Sequence, residues 1–385
     1  MTSLLHIIPV VINAVFAALV AVLLTRVQKS VKGLTAILLA TALVSCTKEG
    51  DVIYLPDPAD MAKTSPLVTV VYDPDALGDR SYNDLIYQGV EEAAMKNGLR
   101  TLQLSPSSME EGEDYLESLF SRLGQAPDTV RRLIIVTTPA YDAFLRKNSH
   151  RLESNKYVDL LYLESDSPLP DKGSTLFLQY YGAMYEAGVI ASAFVSHGHV
   201  IGANPENKPV HDAIQGFSDG FLADYFKNDT KITTNYIGEK VNEGFVIEDS
   251  VAIGMLYKQY SKNRIVVPVC GGASNTFYRM IETFESYNAE NRFFYMGIDQ
   301  EKSSIFCFMS AVKHIDQVVE MCIGQWLSEK GMPKHQTFGL ESGYTEMVLK
   351  PFTEDVKKEL QDNFPEAVSQ KIHAEALRKE AEYEK

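Results

Sequence analysis

Leu67-Val68-Thr69-Val70-Val71-Tyr72-Asp73, the loop Pro74-Asp75-Ala76-Leu77-Gly78-Asp79-Arg80, and Ser81-Tyr82-Asn83-Asp84 running on to Met95 form the stretch that decides the fold. The first run is continuously apolar up to an aspartate, as in a strand buried on both faces. The last part places Leu85, Ile86, Val90, Ala93 and Ala94 at helical spacing, and Ser81-x-x-Asp84 reads as a capping box at the helix start. The unit is therefore strand, loop, helix. In open α/β sheets, ligands sit just beyond the carboxyl ends of strands and against helix N-termini. Asp73, Tyr82 and Asn83 occupy that place and offer a carboxylate, an aromatic face and a carboxamide. None is an obvious nucleophile, so the chemistry points to binding.

The same alternation continues outward. Strands are predicted over 67–72, 101–104, 133–137, 158–163, 176–178, 199–203, 231–236, 265–269 and 293–297, and helices over 109–123, 140–148, 183–195, 212–225, 248–260 and 277–287. Strands alternating with crossover helices imply an α/β protein with parallel sheets covered on both faces. Roughly 320 residues exceed one comfortable core, so two lobes are expected, with a break near Ser196-His197-Gly198. From Thr353 the chain becomes highly charged, and 370–385 reads as a solvated helix with a fraying end.

Further strand ends carry polar groups. They are Thr137-Thr138-Pro139-Ala140-Tyr141-Asp142, Gly271-Gly272-Ala273-Ser274-Asn275 and Met296-Gly297-Ile298-Asp299-Gln300, with Phe217-Ser218-Asp219-Gly220-Phe221 on a helix. Each alone is an ordinary turn or packing element. Their distribution over both lobes favours a ligand held in the cleft between them.

The N-terminal region speaks to location. Arg26, Lys29 and Lys32 precede the short apolar run 34–42, and Leu43-Val44-Ser45-Cys46 follows, in the order of a lipoprotein signal whose cysteine is acylated. The earlier run 4–24 is long enough to span a bilayer. Either Met1 is not the start or the chain begins with an unusual anchor; the complete signal that follows favours the first. Residues 46–65 read as a tether.

The net charge of −15 becomes −18 once residues 1–45, with three basic and no acidic residues, are removed. That surface repels nucleic-acid phosphates. Beyond Cys46, the cysteines Cys270, Cys307 and Cys322 sit in apolar context, without the spacing of a disulfide framework or zinc site. His197-Gly198-His199 lacks the cysteines or acidic cluster of a metal site and reads as a turn between lobes. No metal or cofactor is called for, and no Walker, Gly-x-Ser-x-Gly or His-Glu-x-x-His spacing is present.

Taken in order, several motifs resemble those of the basic membrane protein family of substrate-binding lipoproteins, which includes bacterial purine-nucleoside receptors. Tyr82-Asn83-Asp84 with Gly89, nine residues after Asp73, is similar to the family's Ser-Phe-Asn helix start. Residues 176–194, with Gln179, Gly182 and Glu186-Ala187-Gly188, resemble its small-residue crossover helix, and Phe217-x-x-Gly220-Phe221 its Phe-Glu-x-Gly-Phe element. Gly297-Ile298-Asp299 resembles its Gly-Val-Asp element, and Ser310-Ala311-Val312-Lys313 its Ser-x-x-Lys helix start. Tyr82 stands where the family usually has Phe. The ligand-contacting lysine has no firm match, with Lys240, Lys258 and Lys262 all open.

The resemblance implies a type I periplasmic-binding-protein fold, two Rossmann-like lobes with parallel sheets joined by hinge crossovers. Expected boundaries are 1–45 for the signal or anchor, 46–65 for the tether, 66–195 and 304–330 for the N-terminal lobe, 196–303 and 331–352 for the C-terminal lobe, and 353–385 for a charged helical tail. It further implies a non-enzymatic, lipid-anchored extracytoplasmic receptor of the bacterial envelope. That receptor binds a purine nucleoside and delivers it to the permease of an ABC-type importer. Tyr82 and Phe217 would stack the base, and Asn83, Asp73, Asp142, Gly297 and Asp299 would surround the rest. A sugar or signal-molecule sensor stays open, as does, from another class, a nucleoside hydrolase using the aspartates.

Overall fold

The computed structural model describes residues 52–53, 65–125, 130–226, 229–258 and 263–383. The predicted signal, Cys46 and most of the tether lie outside the described residues. The strands are β1 (Val52–Ile53), β2 (Leu67–Val71), β3 (Arg100–Leu104), β4 (Arg132–Val136), β5 (Val158–Leu163), β6 (Ser174–Leu178), β7 (His197–Gly202), β8 (Lys231–Tyr236), β9 (Arg264–Val269), β10 (Phe293–Tyr295), β11 (Gly297–Asp299), β12 (Met309–Lys313), β13 (His335–Phe338) and β14 (Thr345–Leu349).

Seven strands form the first sheet in the order β1-β3-β2-β4-β5-β6-β13, parallel except for β1. Its two-faced burial follows from the sequence. In β2, Val68 and Val70 face one core with Leu133, Ile135, Leu161 and Leu163 of the next strands. Val71 faces the other with Ile134, Val136, Leu160 and Tyr162. Period-two alternation thus feeds two layers, and nearly every position is apolar because both faces are covered. Helices α1 (Tyr82–Asn97) and α8 (Ile315–Leu327) cover the first face, and α2 (Met109–Gln125) and the short α3 (Asp142–Asn148) the second.

The other half holds a four-stranded parallel sheet, β10-β9-β7-β8, and a three-stranded sheet, β11-β12-β14, in which β14 is antiparallel. Helix α4 (Tyr181–Phe194) is buried along its whole length and packs against α5 (Lys208–Phe221). The contact is close because a Cβ at Gly188 would strike the Phe217 carbonyl and one at Gly220 the Tyr185 carbonyl. Helices α6 (Asp249–Lys258) and α7 (Ala273–Phe284) complete this half.

Three crossovers connect the halves: residues 179–180 between β6 and α4, His314 between β12 and α8, and residues 339–344 between β13 and β14. They run side by side. Gln179 N donates to Phe338 O (2.7 Å), His314 N to Tyr344 O (2.9 Å) and Thr345 Oγ1 to Gln179 O (3.2 Å).

Several expectations are corrected. Residues 335–338, assigned to the second lobe, form β13 in the first sheet, because the chain pairs with the open edge of β6 before crossing back. The run 293–297 splits at Met296 into β10 and β11, which join different sheets. Ser310 to Lys313 is strand β12, not a helix start. His197-Gly198-His199 is not a turn but the start of β7, where His199 is buried and its Nε2 meets Asn235 Oδ1 at 3.1 Å. The charged C-terminus is not a solvated tail. Helix α9 (Glu354–Asn363) leads into α10 (Glu366–Tyr383), which docks on α4 and buries Ile372, Ala376 and Glu380.

Candidate ligand-binding cleft

The loop from Asp73 to Ser81 builds one wall of a cleft between the halves. Its architect is Asp79, whose carboxylate accepts from the backbone N–H groups of Ser81 (2.8 Å), Asn83 (3.1 Å) and Asp84 (3.2 Å) and from Asn83 Nδ2 (3.0 Å). Asp79 therefore satisfies the free amides at the start of α1. The capping box expected at Ser81 is absent: Ser81 makes no side-chain cap bond, and Asp84 accepts from Gly78 N and Arg80 N instead. Relieved of that duty, Ser81 Oγ donates to Asp299 Oδ2 across the cleft at 2.7 Å. Asn275 Nδ2 donates to Asp79 O (2.6 Å), a second tie between the halves.

The cleft offers about 480 Å3, within the range usual for small-molecule sites. The first half contributes Asp73, Asp79, Tyr82, Asn83, Thr137, Thr138 and Glu164, and the second Phe245, Val269, Gly271, Asn275 and Asp299. Tyr180, from the first crossover, and Lys313, at the end of β12 just before the second, line it between them. Glu164 and Asp299 follow or end their strands in left-handed backbone, with φ of 58° and 63°. That conformation is uncommon for residues other than glycine and costs of order 1 kcal/mol or more. Two strained carboxylates at one cavity mark a place where side-chain direction matters.

Lys313 Nζ lies 3.2 Å from Glu164 Oε1, with both side chains almost fully buried. The ammonium also sits 4.7 Å from the Tyr180 ring centroid and 5.3 Å from that of Tyr82. Two rings and a carboxylate thus compensate a desolvated cation. Tyr180 OH donates to Ala311 O and accepts from Asp299 N (3.3 Å), fixing the backbone that carries Asp299. Burial raises the Asp73 carboxyl to about 7. Burial, with the Glu164 charge next, pushes the Tyr82 phenol far above its ordinary value. Burial likewise lifts the Cys270 thiol to about 12, which makes it inert.

Asp73 Oδ1 and Thr137 Oγ1, buried atoms of cleft residues, have no hydrogen-bond partner, and the buried Tyr82 OH and Glu164 Oε2 have none beyond the interaction between these two residues. Buried polar groups are ordinarily satisfied, and leaving one unpaired costs about 1–3 kcal/mol. Two such atoms at one cavity, Asp73 Oδ1 and Thr137 Oγ1, fit a surface whose partner is a ligand.

Of the residues singled out in the sequence, Asp73, Tyr82, Asn83 and Asp299 come together here. Three do not. Phe217 is fully buried against Phe221, with ring centroids 5.6 Å apart, because its Phe-x-x-Gly-Phe spacing serves α4–α5 packing. Asp142 faces away, held by Arg146 Nε at 2.8 Å and Tyr162 OH at 3.2 Å. Gly297 lies behind the wall, where a Cβ would strike the Ser310 hydroxyl. Glu164, Tyr180 and Phe245 were missed. Phe245 packs over Gly271, whose φ of +52° and missing Cβ let the ring lie close. Lys313 had been seen only as part of a motif. Lys240 is three-quarters exposed, Lys258 does not line the cleft, and Lys262 lies outside the described residues.

Residues 67–378 match the family model described as Bmp, an ABC transporter substrate-binding protein, PnrA-like. The chain belongs to this family. Bmp-family membership makes it an extracytoplasmic substrate-binding protein of ABC transport, with a small-molecule ligand and a permease partner. Solved structures agree on the fold. A solute-binding protein of an ABC transporter system from Aeropyrum pernix K1 is 18% identical, covering 82% of this chain and 86% of its own, with a TM-score of 0.59. A transcriptional activator of the comK gene from Bacillus halodurans is 15% identical, covering 80% and 97%, at 0.55. GanP, a glucose-galactose binding protein from Geobacillus stearothermophilus, is 15% identical, covering 75% and 98%, at 0.53. These identities carry the type I periplasmic-binding-protein fold and nothing finer. No curated protein matches the chain. Among the described residues, no helix is long and apolar enough to cross a membrane.

Proposed function

We propose that this Bmp-family protein binds a purine nucleoside in the cleft, without chemical conversion, and hands it to an ABC importer. The observation that carries the reading is the pairing of aromatic walls from opposite halves, Tyr82 and Phe245, with unpaired carboxylate and hydroxyl groups beside them. Phe245 takes the role that the family resemblance implied for Phe217. Base–aromatic stacking contributes about 1–3 kcal/mol per contact, a substantial share of the ~8 kcal/mol of micromolar binding. Asp73, Asn83 and Thr137 supply partners for a heterocycle edge, and Asp299, Glu164 and Lys313 for ribose hydroxyls. The acidic lining opposes a phosphate. Acylation at Cys46, with residues 46–65 as a tether, would hold the receptor at the membrane.

Calorimetric titration with inosine, guanosine and adenosine, their 5′-monophosphates, free bases, glucose and galactose tests this. The expected pattern is nucleoside binding that falls at least roughly a hundredfold on 5′-phosphorylation, the scale of a buried like-charge clash. Sugar binding with nucleosides inert, or release of free base from inosine, would overturn it.

A further inference from the structure

Helix α10 ends against the hinge, and its contacts are placed where they control it. Glu380 is 5% exposed. Its Oε2 accepts from Gly182 N at 2.7 Å and its Oε1 from Leu340 N at 2.8 Å. Those two amides border the first and third crossovers, far apart in sequence. Both sites are shaped for the carboxylate: a Cβ at Gly182 or at Gly339 would collide with it. One turn on, Tyr383 stacks on Tyr181 (centroids 4.2 Å apart, 16° between planes), and its hydroxyl donates to Asp212 Oδ1 of α5 at 2.9 Å.

These contacts reach the cleft through one residue. Tyr180 lies between Gln179 and the stacked Tyr181, and it is the cleft residue that fixes the Asp299 backbone and faces Lys313. We propose that α10 is a strut for the hinge and that Glu380 is a positioning residue for the ligand site. By holding the two crossovers together it sets the angle at which the halves meet. The Ser81–Asp299 and Asp79–Asn275 ties on the far side of the cleft then form only while the strut is in place. The proposal takes from the functional reading only that the halves close on a ligand.

Amide hydrogen exchange on the full-length chain without ligand tests it, so a wrong nucleoside assignment would not disturb the result. E380Q keeps the side chain's size but can accept only one of the two bonds. The expected result is exchange roughly tenfold faster at whichever of Gly182 and Leu340 loses its acceptor and also across 78–84 at the far side of the cleft, the scale of losing one charge-assisted bond. E375Q is the control. It weakens the same helix through the bonds Glu375 accepts from Tyr185 and Tyr225, which touch no crossover, so exchange across 78–84 should stay as in the wild type. Should E380Q fail to fold, Tyr383→Leu, which removes the stack and the Asp212 bond, carries the same expectation at smaller size. Unchanged exchange across 78–84 in the E380Q or Tyr383→Leu protein would overturn the proposal. So would an equal acceleration in E375Q, because α10 would then be general packing.

Discussion

Ser81 Oγ donates to Asp299 Oδ2 at 2.7 Å, joining the first turn of α1 to the end of β11 across 218 positions of sequence. A serine placed to cap its own helix instead bridges the two halves of the cleft, because Asp79 already occupies the helix end. Ser81→Ala should therefore weaken ligand binding about tenfold to a hundredfold, the worth of one bond to a charged acceptor, with little change in denaturant midpoint. A large loss of stability with unchanged affinity would show that Ser81 serves the helix after all.

Asp79→Ala has the opposite signature. Losing a cap that satisfies three backbone amides should cost about 1–2 kcal/mol of stability in urea denaturation. Equal stability of the variant and the wild type would mean that water replaces the carboxylate at no loss.

Phe217 and Phe245 separate packing from binding. Phe217→Ala opens a hole against β7 and Phe221 and should destabilise by about 3–5 kcal/mol, while the milder Phe217→Leu should fold and keep its ligand affinity. Phe245→Leu should keep stability and lose affinity. Calorimetry on the two leucine variants decides, and weaker binding in Phe217→Leu alone would reverse the assignment.

Asp73 predicts a pH dependence. Its carboxyl is raised from 3.8 to about 7 by burial, so the folded state holds a proton that the unfolded chain has released between those values. The stability this contributes is complete below about pH 4 and is lost as pH rises through about 7. Asp73→Asn, which carries no charge to bury, should match the wild type near pH 4 and exceed it by about 2 kcal/mol at pH 8, a figure below the full shift because the cleft admits water. Thermal melts across that range give the comparison. A difference independent of pH would place Asp73 in solvent.

What the sequence disclosed has a physical pattern. Strand β2 and helix α1 were legible because a strand buried on both faces is apolar at nearly every position and the helix keeps its period. Strands β13 and β14 were not: most of their residues are only partly buried, so no apolar run announces them. The same Phe-x-x-Gly-Phe spacing suits a ligand or a neighbouring helix, and only the approach of α4 shows that Phe217 belongs to packing. Phe245 sits in a loop with no period to mark it. Helix α10 looked like a solvated tail because it is rich in charge. Yet Glu380 is buried on two backbone amides, and amides of distant crossovers leave no trace in the side-chain pattern. That Asp73, Tyr82, Asn83 and Asp299 line one cleft was legible because ends of buried strands are few and their polar residues stand out.

The clamp of opposing rings is tested most directly by inosine titration of the wild type, Tyr82→Ala and Phe245→Ala in one calorimetric series. The expected result is micromolar binding to the wild type and a loss of about tenfold or more in each variant, the scale of one stacking contact. Inosine affinity unchanged in both variants, or a wild-type protein that ignores every nucleoside, would contradict it.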